Sequence, residues 1–408
     1  MKPLGPIPPG FAALDGELAI GGRKVCALVK EAGGTPLFVY SRALIDARMA
    51  ALRAAMPARL KIHYAMKANP FAPLLEHMAD LVDGLDIASG GELAMARAAG
   101  FTPREISFAG PGKTDAELTA AIRQGVTINL ESAGEARRAL ALGTALGVTP
   151  RLAIRVNPDF ELRGSGMKMG GGAKPFGVDE GAVAPLAREI IAAGAVWRGL
   201  HIYTGSQALD AGAVIEMQGN VLDVAARLTQ AIGAPLVHLN MGGGFGIPYF
   251  DKDQPLDIAA VGAALQERFA SLLPELQDTE IAIELGRFLV GEAGVYLTRI
   301  VDRKESHGQV FLVCDGGLHH QLAASGNFGT VVRRNYPLAI ATRFDALAEE
   351  EASVVGCLCT PLDRLAEQAQ LPRADVGDLV AVFCAGAYGA SASPSAFLGQ
   401  GPAREMLV

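Results

Sequence analysis

Eight short apolar runs, rich in β-branched residues, recur between residues 61 and 285. They are Lys61–Met66, Gly84–Ala88, Ile106–Ala109, Thr127–Leu130, Leu152–Val156, Gly199–Tyr203, Val237–Met241 and Ile281–Leu285. Between them lie Ala/Leu-rich stretches with helical spacing: Gly91–Ala99, Asp115–Gln124, Ala133–Ala145, Val183–Ala193, Ala211–Ile232 and Ile258–Leu276. Strands alternating with helices at this spacing predict parallel strands joined by helical crossovers. Eight is the number that closes a parallel barrel; an open doubly wound sheet is the alternative.

After Arg287 the texture changes. Gly294–Val301, Gln309–Cys314, Ala352–Cys357 and Asp378–Phe383 read as strands with few helices between them. The pattern predicts a (β/α)8 barrel over 36–287 and a β domain over 288–408. The segment 1–35, through its strand-like Glu17–Ile20, is expected to join that β domain.

Composition narrows the function. A chain of 408 residues, 50% hydrophobic and 19% charged, is neither a disordered tail nor a small stapled scaffold. A net charge of −7 offers no basic face for nucleic acid. Five cysteines at 26, 314, 357, 359 and 384, with no Cys-x-x-Cys pair, make neither a disulfide framework nor a zinc site. No metal is expected, and a reducing cytoplasm is the simplest setting. No uncharged apolar run is long enough to span a membrane, and Met1–Phe11 lacks a signal-peptide core.

Active sites of parallel barrels gather where the strands end. The strand ends here are polar: Lys67, Asp86 with Ser89, Gly110, Glu131 with Ser132, Arg155 with Asn157, Tyr203 with Ser206, Gly242–Gly244, and Glu284 with Arg287. Lys67 stands in the apolar context Tyr64-Ala-Met-Lys-Ala-Asn-Pro70, where a desolvated amine would be a good nucleophile toward a carbonyl. Met241-Gly-Gly-Gly-Phe-Gly246 follows a strand and fits either a plain turn or an anion cradle leading into a helix. Ser206 and Arg287 would serve the same phosphate. One lysine and one phosphate cradle at a barrel mouth point to pyridoxal phosphate.

At this point the chain resembles the fold-type III pyridoxal-phosphate decarboxylases, the group of diaminopimelate, ornithine and arginine decarboxylases with an alanine-racemase-like barrel. The motifs occur in order. Tyr-Ala-x-Lys-Ala-Asn at 64–69 implies that Lys67 carries the cofactor. Leu85-Asp-Ile-Ala-Ser-Gly-Gly-Glu92 implies Asp86 and Glu92 near it. Arg155 in Ile-Arg-Val-Asn, the phosphate-binding glycines Gly242, Gly243 and Gly244, and Glu284-Leu-Gly286-Arg287 follow, with Glu284 matching the acid at the pyridine nitrogen. Gly386-Ala-Tyr388-Gly matches a tyrosine motif beside the phosphate. Gly356-Cys-Leu-Cys-Thr-Pro-Leu-Asp363 resembles the motif whose cysteine, here Cys359, comes from the partner subunit and is implicated in protonation. The resemblance implies a homodimer with shared active sites.

Three departures bear on the substrate. Tyr203 stands where the family has the histidine that stacks on the cofactor, and His201 lies one layer deeper. Thr360 replaces the acid that receives a distal ammonium in basic-amino-acid decarboxylases; Asp363 could compensate. Gly317–Asn327 does not match the usual diaminopimelate-binding segment, leaving Arg333 or Arg334 as candidate carboxylate ligands. These features are similar to a subgroup of exosortase-associated and glutamyl-carrier-protein decarboxylases, which implies an aminoacyl group on an acyl carrier protein. An ordinary diaminopimelate decarboxylase acting on the free amino acid is the alternative. A racemase or a non-catalytic regulatory homologue fits less well, because Lys67, the glycines and Cys359 all remain.

Overall fold

The computed structural model describes residues 2–160, 167–168, 170–326 and 334–408, in two compact units. The first comprises 49–246 and 255–286 and contains eight parallel strands: β1 (Lys61–Ala65), β2 (Gly84–Ile87), β3 (Ile106–Phe108), β4 (Thr127–Leu130), β5 (Arg151–Asn157), β6 (Val196–Ile202), β7 (His238–Asn240) and β8 (Glu280–Leu285). Each pairs with its sequence neighbour, and β8 returns to β1, so the sheet closes as a barrel. All eight expected strands are present, and the open-sheet alternative is excluded.

The outer faces of the strands carry the apolar residues the sequence shows. Ile62, Tyr64, Leu85, Phe108, Ile128 and Ile154 are almost wholly buried. They face helices that include α1 (Ala72–Ala79), α2 (Gly90–Ala98), α3 (Asp115–Gln124), α4 (Ala133–Leu146), α5 (Glu180–Ala192), α6 (Ala211–Ile232) and α7 (Ile258–Ala270). Two strand-end serines are helix caps. Ser89 Oγ accepts from Glu92 N and Ser132 Oγ from Glu135 N, each at 3.1 Å. Each cap satisfies a backbone donor that the helix itself leaves open.

The second unit comprises residues 1–48, 247–254 and 287–408. Its central strand, Gly294–Ser306, pairs antiparallel with Gln309–Cys314, Leu379–Val382 and Leu37–Tyr40. The N-terminal strand that joins this sheet is therefore Leu37–Tyr40, a stretch the sequence placed in the barrel segment. Glu17–Ile20 pairs only with Ala12–Leu14 and Arg23–Lys24, while its Leu18 and Ile20 enter the core of the unit beside Val295, Leu297 and Phe383. Among the described residues no helix is long and apolar enough to cross a membrane.

Candidate active site

Barrel interiors of this kind are ordinarily filled by Val, Ile and Leu. This one takes a buried polar side chain from every strand: His63, Asp86, Ser107, Asn129, Arg155, His201, Asn240 and Glu284. A buried polar group is costly unless it is hydrogen-bonded, and most of these bond to one another. His63 Nδ1 lies 3.2 Å from Asp86 Oδ2. Asn240 Nδ2 donates to Glu284 Oε2 at 3.0 Å and approaches Asp86 Oδ1 at 3.4 Å. Asn129 Nδ2 donates to Ser107 Oγ at 2.6 Å. His201 Nε2 stands 3.1 Å from Glu284 Oε2, off the line of a hydrogen bond.

Glu284 is the focus of this column. Burial alone would raise its pKa, but the charges of His201, Lys67 and Arg155, with the His201 contact, outweigh it. The net effect holds the carboxyl well below the usual carboxylate range. Glu284 is therefore an anion at neutral pH, fixed from two neighbouring strands.

Above it opens a cavity of about 280 Å³ lined by Lys67, Asp86, Arg155, Tyr203, His201 and Glu284, among others. Lys67 follows β1 in a single 3-10 turn, Met66–Ala68. Its amine is exposed to the cavity rather than buried among apolar groups as its sequence context implied. Lys67 Nζ lies 5.6 Å from the centroid of the Tyr203 ring, and Arg155 Cζ lies 6.0 Å from it. Arg155 Nη1 donates to Glu131 Oε1 at 3.0 Å. Glu131 also takes Gly110 N and Gly177 N, which with Arg155 overcome the upward pull of its burial. Lys113, unremarked in the sequence, is buried and anchors this rim through Glu135 at 2.7 Å and two carbonyls.

The glycine loop follows β7, with Tyr203 and Glu284 as its neighbours. Gly242 (φ +69°) and Gly244 (φ +83°) adopt left-handed backbone. A Cβ at Gly243 would stand 1.8 Å from the Glu284 carbonyl oxygen. Gly242 N donates to Asn240 Oδ1 at 2.8 Å, and Ala208 N donates to Gly244 O at 2.9 Å. The second bond ties the loop to the segment carrying Ser206, whose Oγ is buried and has no hydrogen-bond partner among the described residues. No helix starts at the glycines; the next, α7, begins at Ile258. An anion at these glycines would therefore meet no helix N-terminus. A glycine cradle, an orphaned hydroxyl, an anionic acid in the barrel and an exposed lysine fit a phosphorylated pyridine aldehyde. At Gly286 a Cβ would meet Ala68 Cβ at 2.7 Å, so its bareness lets the Lys67 turn pack against β8.

The remaining expected residues lie in the second unit. Arg287 Nη1 donates to Tyr249 OH at 2.7 Å, and its Cζ is 4.8 Å from the Tyr388 ring. Tyr388 adopts φ +59°. Cys359 and its neighbour Cys357 are exposed. Asp363, expected at the substrate, is turned inward. It is 2% exposed, and its two oxygens accept Leu318 N at 2.6 Å and Leu358 N at 2.8 Å. Gly317 and Gly356 make room for it, since a Cβ on either would lie within 2.2 Å of its oxygens. Arg334 lays its guanidinium 3.7 Å from the Phe250 ring centroid instead of presenting it to a carboxylate. Arg333 lies outside the described residues.

Comparison with known proteins settles the class. Residues 42–291 match the model of the pyridoxal-dependent decarboxylases, pyridoxal binding domain. The chain belongs to this family. A relative named L-glutamyl-[BtrI acyl-carrier protein] decarboxylase, from Niallia circulans, is 37% identical over 91% of this chain and 88% of its own. The diaminopimelate decarboxylase of Aquifex aeolicus is 34% identical over 92% and 87%. The crystal structure of the diaminopimelate decarboxylase of M. jannaschii in co-complex with L-lysine superposes with a TM-score of 0.87 at 25% identity, covering 98% and 92%. This decarboxylase accordingly has an alanine-racemase-like barrel and takes pyridoxal phosphate as its cofactor.

Proposed function

We propose that this decarboxylase acts on an amino acid, glutamyl by preference, presented as a thioester on an acyl carrier protein. The observation that carries the reading is the state of the Cys359–Asp363 segment. Thr360 stands at the position where decarboxylases of basic amino acids carry an acid. The remaining acid, Asp363, has both oxygens engaged by backbone N–H groups. A distal ammonium therefore meets no available carboxylate in this segment. The N. circulans relative acts, by its name, on a glutamyl group carried by an acyl-carrier protein, which agrees with this reading.

When bound, pyridoxal phosphate supplies the electron sink for the bond that breaks as CO2 leaves. The chain's own residues do the rest. Lys67, exposed to the cavity, would hold the cofactor through its amine. Glu284, kept anionic by His201, Lys67 and Arg155, favours a protonated ring nitrogen. Tyr203 offers an aromatic face. Ser206, Gly242, Gly243, Gly244, Arg287 and Tyr388 are assigned to the phosphate. Arg155, Asp86 and Gly286 fix the groups around it. Cys359 of a second subunit is assigned the proton delivered to the carbon that CO2 leaves, in a homodimer.

The second reading is a diaminopimelate decarboxylase, favoured by the A. aeolicus and M. jannaschii proteins. CO2 release decides between them. The proposal expects release from glutamyl thioester on a carrier protein and little from free glutamate, lysine, ornithine or meso-diaminopimelate. Rapid release from free meso-diaminopimelate overturns it.

A further inference from the structure

The opposite mouth of the barrel, where the strands begin, holds a second cavity of about 310 Å³. Lys61, His63, Arg104, Arg198, His238 and Glu280 are among its lining residues. This end of a parallel barrel ordinarily serves stability, yet here it gathers arginines. Among the described residues, Arg104 and Arg198, and Arg151 at the start of β5, meet no carboxylate within ion-pair distance. The Nε atoms of Arg151 and Arg198 are buried and have no hydrogen-bond partner among the described residues. Two acids of this mouth have partners of their own, and Glu280, half-exposed, acts on Arg198 only at a distance. Asp83 bonds Ile62 N at 2.8 Å and pairs with Arg53 and Lys61. Glu105 accepts Thr102 N at 2.6 Å. Glu280 lies 3.8 Å from His238 Nε2.

The backbone is shaped to place Arg198. The register between β5 and β6 slips between Trp197 and Gly199, leaving Arg198 as the extra residue of a bulge. Bulges re-aim side chains and recur beside functional sites. Gly199 makes this one feasible: its φ is +113°, and a Cβ there would stand 1.9 Å from His238 O. Three cations crowd one another as well. Burial and then the neighbouring arginines lower the Arg151 pKa, and burial with Arg104 does the same at Arg198 against the pull of Glu280. Like charges held together with buried donors unsatisfied are stabilised by an anion that supplies the missing acceptors.

We propose that the N-terminal mouth of the barrel is a second binding site, for a small di- or trianion bearing phosphate or carboxylate groups. The site is separate from the cofactor cradle, which lies at the strand C-termini.

The test is calorimetric titration of the holoenzyme, its cofactor site filled, with inorganic phosphate and with citrate at matched ionic strength. Saturable binding of one anion per chain is expected. Arg198→Gln should weaken it roughly tenfold or more, the loss of one charge-assisted bond. Arg137→Gln, on the exposed face of α4, should leave it unchanged. Arg104→Gln, on an exposed turn, serves the same purpose as Arg198→Gln if the bulge does not tolerate substitution. Preference for phosphate assigns the ligand as a phosphorylated compound, and preference for citrate as a polycarboxylate. No saturable binding of either, or undiminished affinity in both arginine variants, overturns the proposal.

Discussion

Asn240 holds Glu284 with one end of its amide and the glycine loop with the other: Nδ2 reaches Glu284 Oε2 at 3.0 Å, and Oδ1 receives Gly242 N at 2.8 Å. One side chain thus sets both the acid and the backbone proposed to hold the phosphate. Asn240→Leu leaves Glu284 and Gly242 N short of a partner each. The expected loss is about 1–3 kcal/mol for each unsatisfied group. Chemical denaturation should register it, together with weaker cofactor retention on dialysis. Unchanged stability and retention would show the amide to be dispensable.

Glu284→Gln removes the charge proposed to keep the ring nitrogen protonated. The turnover number should fall by roughly 10²–10⁴, the range for a lost acid–base partner. The cofactor should stay bound, its absorbance band showing that the loss is chemical.

Gly243→Ala drives a methyl to within 1.8 Å of the Glu284 carbonyl. Backbone must move, and overpacking of this kind costs about 1–3 kcal/mol or more. A lowered melting temperature and a weakened cofactor affinity are expected together, because the same displacement disturbs the cradle and β8.

Thr360→Asp restores an acid where the substrate reading finds none. Gain of one charge-assisted bond, about 1.5–3 kcal/mol, should raise kcat/KM for free ornithine or lysine roughly tenfold or more. Steady-state CO2 release measures it. No gain with either diamine would mean that position 360 does not face the substrate side chain.

His238 is expected to make the fold acid-sensitive. Burial, then His63, Arg198 and His201, lower its pKa to about 3. A base whose folded pKa lies below its unfolded value of about 6.5 binds more protons when unfolded. Its contribution to stability is whole above pH 6.5 and declines as pH falls toward 3. His238→Gln should flatten the pH dependence of unfolding between those limits by up to a few kcal/mol. Equal slopes in both proteins would assign the acid lability elsewhere.

The sequence made the barrel readable because each strand is a compact apolar run and the helices between them keep an unbroken period. Leu37–Tyr40 defeats that reasoning. Four buried apolar residues look the same whether the strand enters a parallel barrel or pairs antiparallel with Gly294–Ser306, and the partner lies far along the chain. The mouth of the site was legible too, since Lys67, Tyr203, Ser206 and the glycines close their strands. The shaft below was not. His63, Ser107, Asn129 and Asn240 sit within strands of three to five residues, where alternation reads equally as a solvent face. Ser89 and Ser132 carried a readable signal, since each stands three residues before a glutamate, the spacing of a capping box. Asp363 reads as a free acid in sequence because nothing local shows that Leu318 N will meet it.

The polar shaft of the barrel also sets terms for anyone who would harden this enzyme against heat. Replacing buried polar networks by well-packed hydrocarbon is often neutral or favourable to folding, and stabilised variants commonly lose activity where the active site had been the weak point. A screen rewarding thermal endurance alone would therefore drift toward valine and leucine at 63, 86, 107 and 240. It would deliver a sturdier vessel whose working acid, Glu284, had lost its moorings. Selection for endurance is better confined to the strands' outer faces and their covering helices, leaving the lining under a separate requirement for turnover.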